Sequence, residues 1–310
     1  MCNHDKKEGR VHEYLNTSKE NNSKKRALES GSSNQSRNKQ VKYDDSSDYN
    51  GEDIIGKLYD FPISVMKTMS ETLFSQVLSQ KYSKKAKFID CGGMGAVFQL
   101  EGEPQKAYKV IYKDSENRAK EVNVVEKLKH THIVNVFGTI TTTHGELQYI
   151  IIEMEYYKHG NVAKGDFTKR MLWLILHQIA LVLEYIDEHE YMHRDIKPEN
   201  IFVESIDKIG DDIKVVLGDF GLARQHGTIT THNSGGTFNY MAPESLNGAP
   251  TILSDIFSLG KTLQELAERN GNPCVYLEYL TNRMIQFIPT NRPSIKELVE
   301  RSQSFLDITK

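Results

Sequence analysis

The first fifty positions are dominated by Ser, Asn, Lys and acidic residues, and apolar side chains recur there with no period. So little apolar surface cannot offset the entropy of ordering a chain, and residues 1–52 are expected to form a disordered polar tail. Between Ile63 and Gln80 the texture changes, because Val65, Met66, Met69, Leu73, Phe74, Val77 and Leu78 recur at three- and four-residue intervals and so share one face of a helix. Such a stripe must be covered. The expectation is a helical extension over 53–84 packed on the following domain, with a partner-docking helix as the alternative. From Lys87 the pattern becomes β-rich and predicts strands at Lys87–Cys91, Ala96–Leu100, Ala107–Tyr112, Ile133–Ile140 and Leu147–Met154, interrupted by one helical stretch, Ser115–Lys129. After Phe167 helical patterns dominate, and Met171–His189 is apolar almost all round, as a helix in the middle of a core would be. The expected fold class is therefore α+β: a small β-rich N-lobe over 85–155, then a larger α-helical C-lobe over 156–308.

With 310 residues, 38% hydrophobic and 26% charged, the chain is long enough for one two-lobed domain plus extensions, and the polar tail dilutes an ordinary core. A net charge of -3 gives no indication of a nucleic-acid-binding surface spread over the whole molecule, and no nucleic acid is expected as a partner, although a local basic stretch could still matter. Cys2, Cys91 and Cys274 are odd in number and far apart, which suggests neither a disulfide framework nor a zinc site. No stretch approaches the ~20 apolar residues a bilayer crossing requires, and the N-terminus lacks the apolar core of a secretory signal. The expected location is cytoplasmic or nuclear, and the run Lys24-Lys25-Arg26 is a candidate nuclear signal inside a solvated tail.

Candidate chemistry concentrates in three segments that occur in a fixed order: His193-Arg194-Asp195-Ile196-Lys197-Pro198-Glu199-Asn200, Asp219-Phe220-Gly221 after the strand-like Lys214–Leu217, and Ala242-Pro243-Glu244. Together they resemble the catalytic loop, metal-binding loop and activation-segment end of the protein-kinase family, and the resemblance runs from Lys87 to Phe305. It implies the two-lobed protein-kinase fold, with ATP as phosphoryl donor, Mg²⁺ as cofactor and a protein substrate. The residue types suit that chemistry. Phosphoryl transfer needs a carboxylate to orient the attacking hydroxyl and take its proton, for which Asp195 is the candidate, and hard oxygen ligands for the metal, for which Asn200 and Asp219 are candidates. Lys197, two residues beyond Asp195, can neutralise charge on the transferring phosphate. A lysine at that place resembles serine/threonine kinases, so serine and threonine hydroxyls are the expected acceptors.

The same resemblance extends to the nucleotide. Ala107-Tyr108-Lys109-Val110 is similar to the strand whose lysine contacts the α- and β-phosphates, which makes Lys109 that candidate and Glu121 its first-ranked ion-pair partner, ahead of Glu116 and Glu126. The glycine-rich loop is Ile89, Asp90, Cys91, Gly92, Gly93, Met94, Gly95, Ala96 and Val97, with Asp90 standing where the family's first glycine belongs. That departure stiffens the loop and puts a carboxylate near the nucleotide. Val97 and Ala107 are expected above the adenine and Phe202 below it, with Met154 as gatekeeper and the backbone of Glu155 and Tyr157 on the purine edge. Asp255 is expected to tie down the catalytic-loop backbone, and Arg292 to pair with Glu244.

The resemblance thins at Asn270-Gly271-Asn272-Pro273, a short turn where typical kinases carry a further helix that commonly helps dock substrates. Within the hinge and glycine loop the chain is similar to kinases of translation initiation factor 2, although the long insertion usual before their hinge is replaced by the turn Thr141 to Glu146. Two other readings compete. A pseudokinase scaffold predicts loss of a catalytic group, and Lys109, Asp195, Asn200 and Asp219 are all present; a small-molecule kinase would not need Gly236-Thr237 and Ala242-Pro243-Glu244, which resemble a peptide-positioning loop. Arg194, beside Asp195, implies activation by phosphorylation of Thr231 or Ser234, through an activating kinase or autophosphorylation.

Overall fold

The computed structural model describes residues 63–309 except 93–94, 113–123, 125, 228–235, 248 and 272–273, with the backbone alone at 63–70, 92 and 112. The polar tail, the Ser115–Lys129 helix apart from its last residues, and the side chains of Val65, Met66 and Met69 thus lie outside the described residues. Helix α1, Ile63–Tyr82, precedes five strands: β1 Ala86–Gly92, β2 Gly95–Leu100, β3 Lys106–Tyr112, β4 Val136–His144 and β5 Leu147–Glu155. They form one antiparallel sheet in the order β1-β2-β3-β5-β4. Strand alternation gives this sheet two buried faces. On one, Phe74, Val77 and Leu78 of α1 pack with Ala96, Phe98, Leu100, Tyr108, Val110, Tyr149 and Ile151. On the other, Ile111, Ile150 and Ile152 join the main core, with Met154 packed against it. Burying Leu78 of α1, at 0% exposure, contributes roughly 1.5–3 kcal/mol of transfer free energy.

The β4 strand begins at Val136, three residues later than the expected start at Ile133. Ile133 instead forms a parallel bridge to Leu217, flanked by Val134 N–H to Leu217 O at 2.9 Å and Leu217 N–H to His132 O at 2.8 Å, so these residues join the lobes rather than extend the sheet.

Helix α2, Lys169–Glu188, is the predicted core helix: Thr168 caps it by accepting from Met171 N–H, and Leu172, Ile175, Leu176, Ile179, Val182 and Leu183 are all buried. Trp173 is stacked between Tyr276 and Phe305, with ring centroids 5.5 and 4.4 Å away, which fixes the C-terminal helices against α2. Strands β6 Tyr191–Met192, β7 Ile201–Asp207, β8 Asp212–Leu217 and β9 Arg224–Gln225 form two small ladders, β6 with β9 and β7 with β8. Buried Gln178 of α2 grips β8 with both ends of its amide, donating to Ile213 O at 2.8 Å and accepting from Val215 N–H at 2.7 Å. The C-lobe closes with α3 Pro243–Leu246, α4 Ile252–Arg269, α5 Val275–Met284 and α6 Ile295–Ile308. Only residues 270–274 separate α4 from α5, so the shortened connection read from the sequence stands. Among the described residues no helix is long and apolar enough to cross a membrane.

Candidate active site

The loop between β6 and β7 is anchored from beneath by α4. Asp255, buried, accepts the backbone N–H of His193 and of Arg194, each at 2.7 Å. Burial pushes its carboxyl above the usual range, a tendency opposed by His193 and these two amides. Arg194 holds a left-handed φ of 71°, a conformation that costs a non-glycine residue free energy unless its surroundings impose it. His193 is a second anchor: its Nδ1 accepts from Asp195 N–H at 3.3 Å, leaving Nε2 to donate to Gly218 O at 3.0 Å. That bond joins the loop to the end of β8.

Asp195 is set in a ring of donors. Its Oδ2 accepts from Lys197 Nζ at 2.7 Å and Asn200 Nδ2 at 3.0 Å, and its Oδ1 accepts from Thr237 N–H at 3.0 Å and Thr237 Oγ1 at 2.9 Å. Lys197 Nζ also donates to Thr237 Oγ1 at 2.7 Å, which places the Thr237 hydroxyl between the two charged groups. Asn200 Nδ2 donates again to Asp195 O at 2.8 Å, so the amide nitrogen is turned inward and Oδ1 faces away from this network.

Across the cleft, Lys109 Nζ lies 2.7 Å from Asp219 Oδ1, although the two are 110 residues apart in the chain. Burial would raise the Asp219 carboxyl, but the Lys109 ammonium overrides it and holds the group below its usual range. Asp219 has φ 58° and opens a 3-10 turn over Phe220–Leu222. Gly218 before it is required sterically, since a Cβ there would come within 2.7 Å of the Phe202 ring. Glu121, Gly93 and Met94 lie outside the described residues, as do Thr231 and Ser234. Arg194 is near Arg224: burial first, then the Arg224 charge, lowers the Arg194 guanidinium, with Asp255 opposing.

Ala107 and Met154 are cross-strand partners and Val97 pairs with Lys109, which brings the expected adenine-facing residues and the lysine onto one face. The Ala96 side chain is buried under α1, on the opposite face from Val97, because neighbours on a strand point to opposite sides. Phe202 stacks on Tyr157 at 5.9 Å, and Tyr157 Oη accepts from Asn135 N–H at 3.2 Å. Glu155 N–H is engaged by Asn135 O at 2.9 Å, so of its backbone only the carbonyl remains for a purine. Ile89 and Asp90 are exposed at a β1 bulge, and the Asp90 carboxylate accepts from Cys91 N–H at 2.8 Å rather than pointing across the cleft. Sequence reasoning missed Asn161, which bridges to Phe202 and has a buried Oδ1 with no donor among the described residues. Its only signal was a lone Asn after the hinge.

Gly95 lies at φ 153°, and a Cβ there would meet Val110 O at 2.3 Å. Gly95→Ala is therefore expected to cost about 1–3 kcal/mol, read by thermal melting. Gly102→Ala, at φ 83° in open space, is expected to cost less; equal shifts would refute the steric argument.

Behind the site, Glu244 takes a two-pronged grip from Arg292, Nη1 to Oε1 at 2.6 Å and Nη2 to Oε2 at 2.9 Å, and Ser254 Oγ donates to Oε1 at 2.7 Å. Among the described residues no three His, Cys, Asp or Glu side chains converge to hold a metal ion.

Comparison with known proteins agrees with this arrangement. The family described as "Protein kinase domain" matches residues 83–276. Chitin elicitor receptor kinase 1 of Arabidopsis thaliana is 32% identical over 197 residues, covering 59% of this chain and 30% of that protein. Calcium/calmodulin-dependent protein kinase type 1 of Caenorhabditis briggsae is 30% identical over 201 residues, 63% of this chain and 53% of that protein. Eukaryotic translation initiation factor 2-alpha kinase 1 of Plasmodium falciparum (isolate 3D7) is 40% identical over 126 residues, 38% of this chain and 8% of that protein. The chain spans about half or less of the length of these relatives.

Proposed function

The chain belongs to the protein kinase family, and on that premise we propose that it transfers the γ-phosphoryl group of ATP to serine and threonine hydroxyls of protein substrates. The observation that carries this reading is the unbroken network Thr237–Lys197–Asp195–Asn200, facing the Lys109–Asp219 pair. In the proposed reaction the acceptor hydroxyl oxygen forms a bond to the γ-phosphorus, the bond from that phosphorus to the β,γ-bridging oxygen breaks, and ADP leaves. Asp195 orients the hydroxyl and takes its proton. Lys197, held between Asp195 and Thr237, stabilises the charge spread over the transferring oxygens, and Lys109 binds the phosphates that remain on the nucleotide. Val97, Ala107 and Phe202 offer the adenine apolar faces, Met154 limits the pocket's depth, and the orphaned Asn161 Oδ1 suits a sugar hydroxyl donor.

The donor set fits Mg²⁺. Asn200 Oδ1 and Asp219 Oδ2 are hard oxygens not used in the bonds above, and two protein ligands suffice only when phosphate and water oxygens complete the octahedron. Bound there, the cation would neutralise charge on the β- and γ-phosphate oxygens. The narrower likeness to an initiation-factor kinase does not extend the substrate class, since only Gly145-Glu146 lies between β4 and β5, where those kinases usually carry an insertion.

The test is a degenerate peptide library incubated with the full chain, ATP and Mg²⁺, read by mass spectrometry. Phosphoserine and phosphothreonine products are expected. Phosphotyrosine alone would overturn the acceptor class, and no product above a reaction lacking ATP would overturn the catalytic reading in favour of a scaffold.

A further inference from the structure

Helix α1 ends at Tyr82, one residue before the region that matches the kinase family begins. It nonetheless covers the buried apolar centre of one face of the N-lobe sheet. Phe98, Tyr108, Val110, Tyr149 and Ile151 point to that face and are at most 1% exposed. Among the described residues, α1 is the helix that packs with them. A sheet face this apolar cannot be left to water, so α1 is built into the lobe rather than appended to it.

The C-terminal end of α1 adds polar contacts at chosen places. Tyr82 Oη donates to Glu153 Oε1 at 2.6 Å, and the Tyr82 ring meets Tyr108 edge-on at 5.1 Å. Gln80 is hydrogen-bonded to His144 at the end of β4. Glu153 Oε2 lies 3.6 Å from Lys106 Nζ, so the carboxylate joins α1, β3 and β5 at one point. Burial first, then the hydrogen bond to Glu153, raises the Tyr82 phenol well above its ordinary range, which keeps it a donor. Glu153 sits on the outer side of β5, and the next residue, Met154, turns inward opposite Ala107. The outer grip and the inner nucleotide wall are consecutive residues of one strand, and a displacement of one moves the other.

We propose that α1 is a resident clamp on the nucleotide-binding lobe, with Tyr82 as a positioning residue that acts through Glu153 to hold β5 and the Met154–Glu155 hinge in place for nucleotide. The proposal rests on the reading of this cleft as an ATP site. Tyr82→Phe in the full chain removes the hydroxyl and keeps the ring on Tyr108; Gln76→Ala, at an exposed position of α1, is the control. The expected result for Tyr82→Phe is an ATP KM raised about three- to tenfold with kcat changed less than about twofold, as fits loss of one hydrogen bond to a charged group shared between folding and binding. Hydrogen exchange of the amides in residues 152–157 should also be faster, with the control unchanged in both measurements. A helix that merely adds stability would lower the melting temperature without moving KM, and that outcome, or unchanged exchange at 152–157, overturns the clamp. The exchange measurement needs no nucleotide. If the parent fails to bind ATP, the reading of the cleft falls, while exchange still decides whether Tyr82 holds the strand.

Discussion

Replacing Asp195 by asparagine is expected to lower turnover by about 10²–10⁴-fold, the range associated with loss of a positioned general base. Asparagine has nearly the same shape and can still accept from Lys197 or Thr237, but it cannot take the acceptor's proton. The loop itself should survive, because its backbone is held by Asp255 and His193 rather than by Asp195 alone. Lys197 keeps Thr237 Oγ1 as a partner, so its ammonium is not left bare. Turnover and thermal melting measured side by side separate the two roles. A variant with near-parental turnover would remove Asp195 from the chemistry, and a variant that unfolds would make it a structural residue.

Arg292→Met is expected to produce the largest loss of stability, about 3–5 kcal/mol, because it leaves a mostly buried carboxylate without its cation. The Arg292 side chain is 0% exposed and that of Glu244 is 16% exposed. Besides Glu244, the guanidinium donates to Leu253 O at 2.8 Å and Gln286 O at 2.9 Å, and it lies 5.0 Å from the Phe257 ring centroid. For a domain of this size the loss corresponds to a fall in Tm of roughly 6–20 °C. Burial would raise the Glu244 carboxyl, but its bonds to Arg292 and Ser254 hold it below the usual carboxylate range. A depressed folded-state pKa gives stability that is present above the unfolded value, about pH 4, and lost as pH falls through the folded value. The parent should therefore lose this contribution on acidification, and Arg292→Met should show little of it. Adding Glu244→Leu to Arg292→Met should recover part of the loss, since no buried charge is then stranded. A single variant costing less than about 1 kcal/mol would show that water or a rearranged side chain replaces the pair.

The catalytic loop was legible in the sequence because its parts are close in the chain. Asp195, Lys197 and Asn200 lie within six residues, and one short loop is enough to aim all three at a common point. The Asp219-Phe220-Gly221 and Ala242-Pro243-Glu244 segments were recognisable by their order. The helical stripe Leu73, Phe74, Val77, Leu78 was legible for a similar reason, since a 3.6-residue period depends only on local geometry. Strand alternation was equally local, and it places Ala96 and Val97 on opposite faces of β2.

What the stripe would cover was a different kind of question. Nothing within residues 63–82 says that α1 meets Tyr108, Tyr149 and Ile151, because those residues reach one face only after β3 and β5 pair in register. The same holds for Lys109 with Asp219 and for Tyr82 with Glu153, which lie 110 and 71 residues apart in the chain, whereas the Arg292–Glu244 pair was expected only through the family resemblance. A sequence states which side chains are able to pair. Which of them do pair depends on strand register and lobe packing, where a shift of one residue turns a side chain to the opposite face, and only the assembled tertiary structure decides that.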